Sequence, residues 1–123
     1  MNPENGWIQN CNSTPFTSAG KNSPKKEDYP EYMSSYPENF RGMHAIPLLQ
    51  KAENLTLDTL IALAYDTYLP GADLLIRGLL EASETSSVKS QEAKEAIELL
   101  KGWNFRVSAN SVEMTLAQFY LNS

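Results

Sequence analysis

The sequence predicts a mainly α fold: a short N-terminal strand and a long loop, followed by about four to five packed helices. Three observations point there. Residues after about position 37 carry apolar side chains at helical spacing. Good N-cap residues stand just before several of these stretches. The residues before position 37 are rich in Asn, Ser, Pro, Gly and Lys and show no such period.

The elements follow in chain order. Gly6 to Asn10 reads as the strand, with Trp7 and Ile8 as its apolar pair. Asn5-Gly6 before it is a favoured pair for a tight hairpin turn, where both central residues take positive φ. Little chain precedes this pair, so either the turn reading is wrong or the hairpin partner is expected on other polypeptide. Cys11 to Tyr36 is read as a loop, interrupted by Pro15, Pro24 and Pro30. A loop this long is uncommon inside a compact domain. Its Tyr29, Tyr32, Met33 and Tyr36 argue against disorder and for wrapping over another surface. The expected division is therefore residues 1–36, strand and wrapping loop, and residues 37–123, a helical subdomain.

A first helix is expected from about Asn39 to Ala52, with Pro47 causing a kink or a later start. Thr56 caps the next, whose face is Leu57, Leu60, Ile61 and Ala64. Pro70-Gly71 breaks the pattern. Leu74, Leu75, Gly78 and Leu79 then mark a face up to about Ala82, and Ser83 to Ser87 reads as a polar linker. Ser90 caps a helix with Ala93, Ala96, Ile97 and Leu100 inward, and Gly102 stops it. Ser111 caps a last helix with Val112, Leu116, Phe119 and Tyr120 on one side. These stripes read as core, since any bundle needs them. The apolar residues close to Leu121-Asn122-Ser123 read as a cut end.

Composition narrows the function. The 123-residue chain has a formal net charge of -5, which argues against binding a phosphate backbone. Its one basic pair, Lys25-Lys26, is followed by Glu27-Asp28 and reads as solvated loop charge. No apolar run is long enough to span a bilayer, and the polar start is no signal peptide. Neither a nucleic-acid nor a membrane partner is expected. With Cys11 as the only cysteine, an internal disulfide and a cysteine-rich zinc pattern are excluded. Cys11 reads as a small packing residue, and the lone His44 as an exposed or partly packed helix residue.

One stretch could carry chemistry. Asn10-Cys11-Asn12-Ser13-Thr14-Pro15 follows the expected strand. An Asn amide there can donate a hydrogen bond to the oxyanion of an acyl transfer, though Asn in such a loop is more often a turn residue. Asn12-Ser13-Thr14 also fits the glycosylation acceptor pattern, which matters only in a eukaryotic secretory setting.

Asn2-Pro3, Gly6-Trp7-Ile8 and Asn10 to Pro15, taken in order, resemble the large chain of penicillin acylases and acyl-homoserine lactone acylases. Asp28-Tyr29-Pro30 is similar to the Asp-Tyr-Pro that follows in penicillin G acylases. Arg41 with Ile46, Leu48 and Leu49 resembles the arginine and apolar face of the next helix. Leu55-Thr56, Asp66, Leu99 to Asn104, Asn110-Ser111 and Phe119 resemble the family's helical section and closing helix. The resemblance covers essentially the whole chain.

It implies a section of an αββα N-terminal nucleophile hydrolase, in the C-terminal helical part of the large chain. There a serine freed by self-cleavage attacks an amide carbonyl, with its own α-amino group as base. Asn12 matches the oxyanion-hole asparagine, and Arg41 the arginine that orients the nucleophile region; the plain alternative for Arg41 is a surface or helix-cap residue. The implied partners are the remainder of the acylase polypeptide and a small N-acyl substrate, and the implied location is periplasmic or secreted. The chain departs from the pattern in four ways. Met1, not serine, opens it, so the nucleophile is expected elsewhere and the chain inactive alone. The segment between Pro30 and Arg41 is short, which leaves the family's calcium-binding aspartate unmatched; Glu31 is the nearest acid and no cofactor is assigned. Pro47 and Asn104 stand where the family has other residues. The alternative from a different class is a stand-alone, non-catalytic helical interaction module.

Overall fold

The computed structural model describes residues 3–122; Asn2 of the Asn-Pro pair, Met1 and Ser123 lie outside the described residues. The chain divides into two compact units, Met1–Asp66 and Thr67–Ser123. The change of composition near residue 37 falls within the first.

The described residues are mainly helical, as the apolar spacing requires. In the first unit, four single 3-10 turns, Pro15–Thr17, Gly20–Asn22, Lys26–Asp28 and Glu31–Met33, fill the stretch read as loop. Helix α1 (Phe40–Lys51) and helix α2 (Leu57–Ala64) follow. The short strand is not found. Residues 7–10 form no ladder, and only Gln9 N–H reaches the carbonyl of Ser18, at 2.8 Å. A strand needs a partner along its length, and the described residues offer none. The turn also differs from expectation. It runs from Pro3 to Gly6, closed by Gly6 N–H on Pro3 O at 3.0 Å, so Gly6 ends the turn and Asn5 lies inside it. Gly6 takes φ +76, whereas Asn5 keeps an ordinary negative φ, so the two-residue hairpin geometry is absent.

Local signals set the helix starts. Asn39 Oδ1 accepts from Gly42 N–H at 3.1 Å and begins α1. Thr56 and Thr59 exchange side chain-to-backbone bonds in a capping box that begins α2. Pro47 neither delays α1 nor ends it: the helix runs through it. The missing N–H costs one backbone bond, and the exposed position lets Pro47 remain.

The apolar face foreseen on α2 is not covered: Leu57 is 72% exposed, and Leu60 and Ile61 are close to half exposed. An eight-residue helix with no apolar cover draws its stability from its capping box more than from burial.

The second unit holds a compact core. Helices α3 (Pro70–Thr85), α4 (Gln91–Lys101) and α5 (Val112–Leu121) each pack on the other two. Pro70 sits at the first position of α3, where its missing N–H costs nothing. Ser83 and Thr85 extend α3 beyond Ala82. Their hydroxyls donate to the carbonyls of Leu80 and Ala82, so the expected linker begins helical. Ser90 and Ser111 cap α4 and α5 as expected, and α4 ends at Gly102.

The core comprises Ala72, Ile76, Leu100, Trp103, Phe105 and Ala117, with Leu79, Leu80, Met114 and Leu116 packed on it. This face agrees with expectation on α4 and only in part on α3 and α5, where Leu79 and Leu116 pack on the core as expected. Leu74 and Leu75 are exposed, as are Val112 and Phe119, while Ala72 and Ala117 are buried. Small residues let helix backbones approach closely, so the alanines face inward and larger neighbours turn out.

The link after α4 is tied to the start of α3. Leu69 N–H donates to Phe105 O at 2.8 Å and Val107 N–H to Thr67 O at 2.9 Å. Phe105 takes φ +57, a costly conformation for a bulky residue. Its ring lies 5.2 Å from that of Trp103, with the Arg77 guanidinium 5.0 Å from its centre. These contacts hold the strained backbone in place.

Ile76 has no exposed surface. Ile76→Ala should lower the stability of this unit by about 2–5 kcal/mol, whereas Leu74→Ala should change it by less than about 1 kcal/mol. Urea unfolding of both variants checks the inward face; equal losses would contradict it.

Candidate functional site

The first turn of α1 meets the Asn10–Ser13 segment within the first unit. Asn12 takes φ +54, a left-handed conformation that asparagine tolerates better than most residues. Its N–H donates to the side chain of Asn10, at 2.9 Å from Oδ1. Arg41, the second residue of α1, donates from Nη1 to Asn12 Oδ1 at 3.3 Å. Both side chains are exposed. The structure thus brings together the two residues singled out from sequence, 29 positions apart.

Arginine carries only donors, so its contact fixes the orientation of the Asn12 amide. Oδ1 faces the guanidinium, and Nδ2 is left as the donor end. Among the described residues, Nδ2 donates to no protein group. A local positive charge and a neutral amide donor at one point suit an incoming anionic oxygen.

Three further residues support this point, and the sequence reading had not singled them out. Asn39 uses both ends of its amide. Oδ1 caps α1, while Nδ2 donates to Cys11 O at 2.9 Å and to Asn12 O at 3.4 Å. Glu38, just before the cap, accepts the Asn39 N–H at 2.9 Å and the hydroxyl of Thr17. Partial burial pushes the Glu38 carboxyl up, but hydrogen bonds from Thr17, Ser13 and the Asn39 backbone outweigh it and hold it below its ordinary 4.5. Its charge also lies beside the positive end of the α1 dipole. Gly42 is buried, and a Cβ added there would overlap the Glu38 carboxylate. The signal available in sequence was the spacing Asn39 to Gly42, a cap and its third helical residue.

His44 is half-buried, as foreseen, but it is not alone: Nε2 lies 2.8 Å from Oδ1 of Asp66. Cys11 is half-buried with a free thiol, and contributes its carbonyl to Asn39. Glu31 is exposed on its 3-10 turn, and no three His, Cys, Asp or Glu side chains converge as metal ligands among the described residues. No helix of the described residues is long and apolar enough to cross a membrane. An open groove of about 560 Å³ lies between Trp7, Gly20, Leu49 and Gln50, but neither Asn12 nor Arg41 lines it. The hydrogen-bond geometry, not this concavity, marks the candidate site.

The family model for penicillin amidase matches residues 1–123, the whole chain. The chain belongs to the penicillin amidase family, and its function is acylase-related.

The Glu38 network has a pH signature. A folded-state pKa below the unfolded value stabilises fully above that unfolded value, and the contribution is lost as pH falls through the folded one. Glu38→Gln should be less stable than the parent at neutral pH, and the gap should close on acidification. Urea titrations across this range decide it; a gap that widens toward acid would refute the network. Gly42→Ala should move the Glu38 carboxyl up toward 4.5 by dislodging it from its donors. Carboxyl-carbon NMR titration reads that shift, and an unmoved midpoint would show that Glu38 tolerates the methyl group.

Proposed function

We propose that the chain is part of an acylase that hydrolyses the amide bond of an N-acyl substrate, and that it supplies the oxyanion donor but not the nucleophile. The substrate class comprises penicillin-type side-chain amides, acyl-homoserine lactones and similar compounds. The observation that carries this reading is the contact between Arg41 and Asn12, with the donor end of the Asn12 amide exposed. Membership of the penicillin amidase family supports it.

The proposed chemistry is simple. A serine hydroxyl, supplied by the remainder of the acylase polypeptide, adds to the acyl carbon while its α-amino group takes the proton. The carbonyl electron pair moves onto oxygen, and Asn12 Nδ2–H donates to the resulting oxyanion. Arg41 holds Oδ1 and adds positive charge nearby. Its withdrawal of electron density makes the amide N–H a better donor. Collapse of the intermediate expels the amine, which takes up the proton, and leaves an acyl-serine for water to cleave.

In the complete acylase, Asn12→Ala should reduce amide hydrolysis by about a hundredfold or more while barely affecting folding. Asn12→Gly removes the same donor and suits the positive φ, so it should show a similar loss without added backbone strain. Full turnover in both variants would sink the oxyanion assignment.

A further inference from the structure

We infer that Asn39 is a positioning residue for the candidate site: it sets the backbone of Asn12 and thereby the direction of the Asn12 amide. The catalytic part of this inference rests on the reading of Asn12 as the oxyanion donor.

Three observations lead to it. First, Asn12 has φ +54, a conformation that costs a non-glycine residue free energy and persists only where its surroundings impose it. Second, the Asn12 peptide is gripped on both sides. Its N–H donates to Asn10 Oδ1 at 2.9 Å, and Asn39 Nδ2 holds the carbonyls of Cys11 and Asn12 at 2.9 and 3.4 Å. Third, the same Asn39 side chain begins α1 through its bond from Gly42 N–H at 3.1 Å, and Arg41 stands on that first turn. One planar amide therefore ties the backbone of Asn12 to the helix start that carries its guanidinium partner.

Asparagine suits this position for a specific reason. An N-cap needs an acceptor, which Ser, Thr, Asp and Asn all provide. Holding two carbonyl oxygens needs a donor pointing the other way. Aspartate keeps the cap and presents a carboxylate oxygen to those carbonyls. Serine keeps the cap with one short hydroxyl. Aspartate has no hydrogen to donate, and the single short hydroxyl of serine cannot hold two carbonyls at the reach of the amide, so these substitutions separate helix capping from positioning. The Glu38 carboxylate, by accepting the Asn39 backbone N–H, fixes the residue from which the amide projects.

The test has a structural and a kinetic arm. In the 123-residue chain, Asn39→Asp should preserve exchange protection of the Gly42 N–H, which reports the cap. It should weaken the intraresidue HN–Hα NOE of Asn12, which is strong at positive φ. In the complete acylase, the same variant should lower kcat about tenfold or more and leave KM within about twofold, since a small displacement of a transition-state donor is costly. Asn39→Ser should behave alike and stands in should the aspartate prevent folding. Asn39→Gln, with both amide functions on a longer arm, should recover part of the kcat lost in the serine variant.

A cap-retaining variant with an unaltered Asn12 NOE and unaltered kcat would overturn the inference. So would equal loss of kcat in variants that keep and that lose the positive φ. Asn12→Ala run in the same assay keeps the two ideas apart. Full activity there removes the oxyanion reading, while the NOE comparison still decides whether Asn39 holds residue 12.

Discussion

The hydrogen bond from Gly42 N–H to Asn39 Oδ1 is the constraint on which the first unit's ordered site depends. A helix start leaves backbone N–H groups without partners, and one of them is met here by a side chain whose other end is still free to donate. That free end closes on residues 11 and 12, so the cap does more than begin a helix. It joins a loop with no regular structure to a rigid element. Glu38 reinforces the joint, and Gly42 has no side chain to compete with the carboxylate. Removing any one of these conditions alters the position of the others, because they share the same few atoms.

Capping matters unusually in this chain because burial is unevenly shared. The second unit has a core built on Ile76, Leu100 and Trp103, which fixes three helices against one another. The apolar side chains of α2 lie open, and its N-terminal end is instead held by paired threonines. Exposed Leu57 and, in the loop, Tyr32 and Tyr36 are more than isolated surface residues. They suit a chain that works as part of a larger acylase polypeptide, where such faces have something to lie against.

What was legible in sequence follows from how far each feature reaches along the chain. Helix starts at Thr56, Ser90 and Ser111 depend on residues within one turn, and they stand where expected. The Gly6–Asn10 strand depended on a partner outside that window, and without one the segment makes a single bond to Ser18. Helix faces lie between these cases. On α4 the apolar stripe is unambiguous, with charges opposite it. On α3 the leucines at 74, 75, 79 and 80 circle much of the helix, so composition could not decide which pair faces inward. The inward pair is Leu79 and Leu80, beside Ala72 and Ile76, and Ala117 faces them from α5; the small size of the alanines is informative only once the neighbouring helix is known. The candidate site divides likewise. Asn12 and Arg41 stood out by motif, but their meeting, the grip of Asn39 and the contact of His44 with Asp66 span 22 to 29 positions. No local period encodes such contacts.

The proposed chemistry also accounts for an amide at position 12. Aspartate would draw Arg41 more strongly, but its ionised carboxylate has no hydrogen to donate and would repel an oxyanion. Serine could donate, yet its single hydroxyl would have to serve the arginine and the substrate from one atom. Glutamine has both functions on a longer arm with another rotatable bond, so more freedom must be lost to fix its donor. Asparagine separates acceptor from donor across one short, planar group. The guanidinium takes the oxygen, and the nitrogen is thereby directed without touching it. The same division of labour recurs at Asn39, where the oxygen serves the helix and the nitrogen serves the loop. Two amides in series thus carry orientation from the helix start to the exposed donor of Asn12.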